Sequence, residues 1–216
     1  MTLLTRVRQL FGASAAAAPL RWAVLDVETS GLVPKRDRLI AIAAIAVQLD
    51  HGLPRICLGD SFEVVLRQPE LAPDKSNILL HGIGVGAQRE GVQPSLALET
   101  FERWLGDAPL IAFHAAFDEA MIRRAMQAVL GRRLANAWVD LQPVAAAVHP
   151  KVKARSLDEW LDHFGIECAV RHQAAADTLA TAELLQVLWP AVRAQAPAAD
   201  FDALQRLAAQ GRWLQR

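Results

Sequence analysis

The stretch Trp22-Ala23-Val24-Leu25-Asp26-Val27-Glu28-Thr29-Ser30-Gly31 decides how the rest of the chain is read. Residues 22–27 are a compact apolar run, β-branched in part, the pattern of a buried strand. Thr29, Ser30 and Gly31 then supply turn chemistry. Residues two apart in a strand point to one face, so Asp26 and Glu28 project together from the end of a core strand. Buried like charges repel and desolvate at a cost of several kcal/mol unless a cation offsets them. Hard carboxylate oxygens at such a place suit Mg²⁺ or Mn²⁺. Taken alone, the pair also fits a strand that has simply ended, with both acids in water.

Outward from this stretch, residues 39–49 form a second apolar run. Its alanines leave strand and helix unseparated by periodicity, but its length and the Asp50-His51-Gly52 turn favour a strand. Residues 61–67 alternate Phe62, Val64 and Leu66 against Ser61, Glu63 and Val65, a third strand. Three sequential strands with short turns predict an antiparallel meander. Helices and strands then alternate. A helix over 94–105 is opened by Pro94-Ser95, with Glu99 as capping partner. A strand covers 109–113, a helix 118–130 stops at Gly131, and a fifth strand covers 137–141. Ser156-Leu157-Asp158-Glu159 reads as a capping box opening a helix that Gly165 ends. A long helix over 174–192 precedes Pro197, and a short one covers 200–210. The predicted class is α/β, a mixed five-stranded sheet flanked by helices. Residues 1–20 are read as an N-terminal helix or arm and 21–216 as one domain.

With 216 residues, 53% of them hydrophobic, the chain suits one domain with one continuous core. The 23 Lys and Arg balance the 23 Asp and Glu. That argues against a broad surface coating long nucleic acid, and leaves room for a small site gripping one strand end. No apolar run approaches the ~20 residues that span a bilayer. Cys57 and Cys168 form no metal-ligand or redox motif and read as two buried thiols in a reducing compartment, so a cytoplasmic location is expected.

Two more acids stand near turns. Asp118 follows Phe113-His114-Ala115-Ala116-Phe117 just past the fourth strand, and Asp177 lies early in the long helix, five residues after His172. A spacing of five separates two helical residues in azimuth, so sharing a site requires His172 to lie in the loop before the helix. Either acid alone fits a favourable interaction with a helix dipole.

Together these segments resemble the DnaQ-like (DEDDh) 3′–5′ exonucleases, a family that includes the epsilon subunit of bacterial DNA polymerase III, ribonuclease T and oligoribonuclease. Asp26-Val27-Glu28-Thr29-Ser30-Gly31 is similar to the motif DxETTG, residues 113–118 to HNAxFD, and His172-Gln173-Ala174-Ala175-Ala176-Asp177 to HRAxxD. Residues 78–83, ending in His81-Gly82-Ile83, match a helper segment between the first two, and Asp140 and residues 156–166 resemble the family's usual filler. Order and spacing hold over roughly residues 20–192. The departures are Ser30 for Thr, Phe113 for His, His114 for Asn and Gln173 for Arg. None removes a carboxylate or His172; those at 113 and 114 bear on how a terminal nucleotide is held.

The resemblance implies a ribonuclease H-like fold in which Asp26, Glu28, Asp118 and Asp177 hold two divalent cations, Mg²⁺ or Mn²⁺, about 4 Å apart. It implies His172 as general base, a task suited to imidazole near neutral pH, and a backbone approach to the terminal nucleotide at Thr29 and Gly31. Phe117 either stacks on a base or anchors the core under its helix. Phe113 reads as core, and His114 stands between substrate contact and surface residue. The expected function is a metal-dependent 3′–5′ exonuclease releasing nucleoside monophosphates from single-stranded or frayed 3′ ends, DNA first. The alternatives are an RNA-trimming exoribonuclease and a polymerase-associated proofreading or docking module. The expected partner is a single-stranded DNA or RNA 3′ end, with no membrane. A homodimer is allowed by the resemblance. Polymerase association stays open; against it stand the complete catalytic set and the short tail after 192, ending in Gly211-Arg212-Trp213, with no long tether or obvious clamp-binding motif.

Weaker signals are assigned elsewhere. Gly82, Gly84 and Gly86 read as a flexible loop, not a dinucleotide fingerprint. His51, His149 and His163 read as structural or exposed. Arg123, Arg124, Arg132 and Arg133, with Lys151, Lys153 and Arg155, either guide a strand toward the site or form a solvated face. Trp104, Trp160 and Trp189 read as core.

Overall fold

The computed structural model describes residues 20–68 and 75–214. The expected arm of residues 1–20 lies outside them apart from Leu20, which opens β1 (Leu20–Thr29). β2 (Leu39–Asp50) and β3 (Leu53–Val65) complete the meander, and β4 (Leu110–Ala112) and β5 (Trp138–Asp140) add parallel strands. The sheet order β3-β2-β1-β4-β5 makes β1 central, antiparallel to β2 and parallel to β4.

Strand alternation places Trp22 and Val24 in one core and Ala23, Leu25 and Val27 in the other. The first core is closed by α5 (Leu141–Val148), α6 (Leu157–Phe164), α7 (Ala174–Gln195) and α8 (Phe201–Leu214). The second is closed by α3 (Pro94–Leu105) and α4 (Ala116–Leu130). Two short helices, α1 (Lys75–His81) and α2 (Val85–Glu90), precede α3.

Helix α7 is tied to the hairpin as well as packed on it. Thr178 Oγ1 donates to the Ala43 carbonyl (3.2 Å), Gln186 Nε2 to Pro54 (2.8 Å) and Trp189 Nε1 to Gly52 (2.8 Å). Trp189 and Phe201 both pack on Trp22, with ring centroids 5.7 and 5.9 Å away. Helix α8 lies flush on α5: a Cβ at Gly211 would stand 1.8 Å from the Pro143 carbonyl oxygen, so only glycine fits that crossing.

The structure corrects several expectations. β3 starts at Leu53 rather than 61, directly after a tight turn in which His51 (φ 50°) and Gly52 (φ 76°) are both left-handed. The edge strand is largely exposed, so its first half carries no apolar alternation. Gly84 caps α2 and Gly86 lies inside it, so the expected glycine loop is partly helical. Helix α3 has Gln93 at its N-cap and no side-chain cap, so Glu99 plays no capping role. Residues 141–148 are helix α5; all eight are buried, which erases any amphipathic period. Trp160 and Trp189 are core, but Trp104 is half-buried under the Arg21 guanidinium, 4.5 Å from its ring. Cys57 and Cys168 are both half-buried rather than buried. The capping box at Ser156 and Glu159 and the left-handed Gly131 and Gly165 caps stand as expected. Among the described residues no helix is long and apolar enough to cross a membrane.

Candidate active site

Asp26 and Glu28 continue the even-numbered row of β1 that carries Trp22 and Val24, the row facing the α7 side of the sheet. A register shift between Glu28 and Thr29 skips one residue of β2, so that Thr29 pairs with Leu39 as the last step of the ladder. The following loop is closed on itself. Thr29 Oγ1 donates to the Gly31 carbonyl (2.7 Å), the Ser30 N–H to Arg38 (2.9 Å), and the Val33 N–H to Asp37 Oδ2 (2.8 Å). A Cβ at Gly31 would stand 2.4 Å from that same Asp37 oxygen. The glycine therefore seats Asp37, a local reason for it that the sequence did not reveal.

Asp118 is buried in the first turn of α4. The chain reaches it through His114, an exposed residue with φ 61° whose N–H donates to Asp140 Oδ1 at 3.0 Å. The main-chain N–H groups of Asp118 itself and of Val27, which lies beyond the short β1–β4 ladder, act on the Asp118 carboxyl to oppose its upward shift. Phe113 is buried, as expected. Phe117 is half-buried against the second core, which favours its role as a core anchor.

The third segment enters from the loop before α7. His172 is exposed and left-handed (φ 60°), in the loop position that a shared site requires. Its N–H donates to Asp177 Oδ2 at 3.1 Å. The other Asp177 oxygen, Oδ1, is ion-paired to Arg171 Nη1 and lies 3.6 Å from Cys168 Sγ. Arg171 also holds Asp158, on α6, through Nε. Asp177 is thus not a bare acid awaiting a cation; in the sequence Arg171 does not stand out, and Asp158 reads only as part of a helix start. Nearby, the buried His81 accepts at Nδ1 from the Ile83 N–H (3.0 Å), while its Nε2 has no hydrogen-bond partner among the described residues. A Cβ at Gly82 would come within 3.8 Å of Gln173 Nε2, so the helper segment abuts the His172 loop.

The acids act on one another. Burial, then the charges of Asp118, Glu28 and Asp177, push the Asp26 carboxyl well above the usual range, against a lowering by Arg171. Burial and then Asp177 push Glu28 up to about 8, opposed by the Ala174 N–H and Arg171. Burial, with Asp140 and Glu28, raises Asp118. Burial also raises Asp140, a fifth acid, against hydrogen bonds from Gln142 and His114. Distant stretches of chain thus deliver four mutually repelling, desolvated carboxylates to one end of the central strand. Their oxygens are the hard donors that a divalent cation of the Mg²⁺ class requires, so the residues fit such an ion. Among the described residues no three His, Cys, Asp or Glu side chains are already drawn into a ligand cage; one guanidinium supplies positive charge there instead.

The arginines divide. Arg132 pairs with Glu102, Arg123 with Glu119, and Arg133 donates to Gln127. Arg124 donates to the Pro34 and Asp37 carbonyls (2.7 and 2.8 Å) and so braces the loop after Gly31. His51 and His163 are exposed, and His149 is half-buried.

A mixed sheet in this order, with acids from the central strand and two helices brought to one end of that strand, is the ribonuclease H-like fold. The chain matches the ribonuclease T exonuclease family model over residues 23–185, and it belongs to that exonuclease family. It is 29% identical over 185 residues to a PolC-type DNA polymerase III of Clostridium perfringens, covering 85% of this chain and 12% of that protein. It is 30% identical over 179 residues to a DNA polymerase III subunit epsilon-like protein of Rhodobacter capsulatus, covering 82% of this chain and 25% of that one. The chain thus spans a quarter or less of these relatives' length. Among solved structures it resembles the zinc-bound complex of Escherichia coli exonuclease I with single-stranded DNA (TM-score 0.69, 20% identity, 83% of this chain and 41% of that chain). It also resembles cell-death related nuclease 4 (TM-score 0.67, 14% identity, 78% and 63%). At these identities the likeness is one of fold.

Proposed function

We propose that this chain is a metal-dependent 3′–5′ exonuclease that releases nucleoside monophosphates from single-stranded or frayed 3′ ends, with DNA as the favoured substrate. The observation that carries the reading is the placement of four acids: Asp26 and Glu28 share one row at the end of the central strand, and Asp118 and Asp177 are buried in the first turns of α4 and α7, with burial first and neighbouring acids second raising Asp26, Glu28 and Asp118. Acids that raise one another's pKa lie close together, and such a cluster is costly unless positive charge joins it.

In this reading Asp26, Glu28, Asp118 and Asp177 hold two divalent ions, Mg²⁺ or Mn²⁺. The ions would supply the chemistry of phosphodiester hydrolysis, activating water and stabilising the leaving 3′ oxygen. The protein's own groups do the rest. The Val27 and Asp118 N–H groups favour the charged form of the Asp118 carboxyl, and the His172 N–H fixes Asp177. The exposed His172 imidazole would take a proton from water, as a general base. The braced loop over Thr29 and Gly31, the exposed His114 and the accessible part of Phe117 offer the surfaces against which a terminal nucleotide would lie.

The single-stranded DNA in the exonuclease I complex and the polymerase relatives favour DNA over RNA. The 2′-OH separates the two substrates chemically. End-labelled single-stranded DNA, duplex DNA, RNA and dinucleotides, each incubated with Mn²⁺ and scored for polarity and products, test the proposal. Mononucleotide release from the 3′ end of DNA is expected. Faster trimming of RNA would transfer the assignment to exoribonuclease. Cleavage from the 5′ end or internally would overturn it.

A further inference from the structure

The cation that the acids need has a resident counterpart in the chain itself. Arg171 reaches two carboxylates at once: Nη1 to Asp177 Oδ1 on α7, and Nε to Asp158 Oδ1 on α6. Its two ends thus have different partners, one in the acidic cluster and one outside it. The remaining oxygen of Asp177 is held by the His172 N–H. The oxygen under the guanidinium is therefore the one that Asp177 could turn over to another cation without releasing the His172 loop.

We infer that Arg171 is a built-in counter-cation for the metal centre, holding Asp177 Oδ1 until a divalent ion displaces it and remaining anchored through Asp158 after the exchange. The inference rests on the divalent-cation reading above and goes beyond it, because it assigns a positioning role to a residue outside the three acidic motifs. The physics is competition for one oxygen. A guanidinium offers a single charge spread over a planar group, whereas a divalent ion offers two charges on a small sphere that several of these carboxylates can share. Metal-free, the guanidinium limits repulsion among the acids; its field already opposes that repulsion at Asp26 and Glu28. Metal-loaded, it is released but kept nearby by Asp158, so the exchange is reversible. An ordinary structural ion pair between α6 and α7 would make a different demand: removing it would loosen the site and weaken metal binding.

Calorimetric titration of the full chain with MnCl₂ separates the two. Arg171→Gln, which removes the competitor, is expected to bind Mn²⁺ on the order of tenfold more tightly than wild type, the effect of releasing roughly one ion pair. Arg171→Lys, which keeps the charge but cannot span both carboxylates, is expected to fall between them. Equal or weaker binding by Arg171→Gln overturns the exchange. If all three proteins bind Mn²⁺ alike, only the exchange falls. If none binds it, the divalent-cation reading falls and takes the exchange with it. A measurement on the wild type alone guards against a variant that does not fold. As MgCl₂ is added, the Nη–H resonances of Arg171 are expected to shift in step with metal occupancy, while Nε–H, held by Asp158, keeps its position. Nη–H resonances indifferent to Mg²⁺ overturn the exchange.

Discussion

His172 and Asp177 are joined through the main chain: the His172 N–H donates to Asp177 Oδ2 at 3.1 Å, while the imidazole itself is exposed. One residue thus plays two separable parts, its backbone positioning an acid and its side chain facing solvent. The left-handed backbone at His172 makes this possible by turning the N–H back toward the helix start.

His172→Ala keeps the N–H and loses only the imidazole. Folding and Mn²⁺ affinity are expected to stay near wild type, while kcat falls by ~10²-fold or more. Turnover assays beside Mn²⁺ calorimetry check this, and wild-type turnover in the variant would remove the imidazole from the chemistry.

The acids are expected to behave as a unit. Asp26→Ala and Asp118→Ala should each reduce hydrolysis to background. Wild-type activity should vanish in EDTA and return with Mn²⁺ or Mg²⁺. A labelled-oligonucleotide assay reads both, and activity surviving chelation would place the chemistry elsewhere.

Stability should depend on pH in a direction set by the raised carboxyls. Glu28 titrates at about 8 in the folded protein against 4.5 ordinarily, and Asp26 and Asp118 are shifted the same way. Through that window the folded state binds more protons than the unfolded chain, so its stability falls as pH rises. Metal-free protein is expected to lose melting temperature between about pH 5 and 8, and Glu28→Gln should flatten the slope. Mn²⁺ should reduce or reverse the loss. A rise in melting temperature across this range in EDTA would contradict the cluster's electrostatics.

Gly31→Ala tests the loop. The added Cβ would press on Asp37 and displace it from the Val33 N–H. Overpacking of this kind costs about 1–3 kcal/mol. Urea denaturation should show that loss, while a change below about 0.5 kcal/mol would mean that the loop relaxes freely.

The parts of this fold that were legible in the sequence are those with a local cause. Hydrophobic runs marked β1 and β2, Ser156 and Glu159 marked a helix start, and Gly131 and Gly165 marked helix ends. The acids were legible only together, through the resemblance of their three short motifs to one family, since each alone also fits a strand end or a helix dipole. What escaped notice depends on distant partners. Helix α5 is apolar on every side, and its one local signal, Asp140 accepting from the Gln142 N–H at 3.1 Å, lies in a residue that otherwise reads as the end of a strand. Arg171 gains its meaning only when α6 and α7 bring Asp158 and Asp177 to either end of it. Spacing along the chain cannot announce a residue whose role is to bridge two helices.

The contact between Gly211 and Pro143 sets how far this protein can be trimmed. The family match stops at residue 185, inside α7, yet α8 lies flush on α5 and sets Phe201 against Trp22 at the root of the central strand. A fragment trimmed to the shared homology would keep every acidic motif and strip the prop from beneath the strand that presents two of them. The boundary drawn by ancestry and the boundary drawn by cohesion differ here by about one helix.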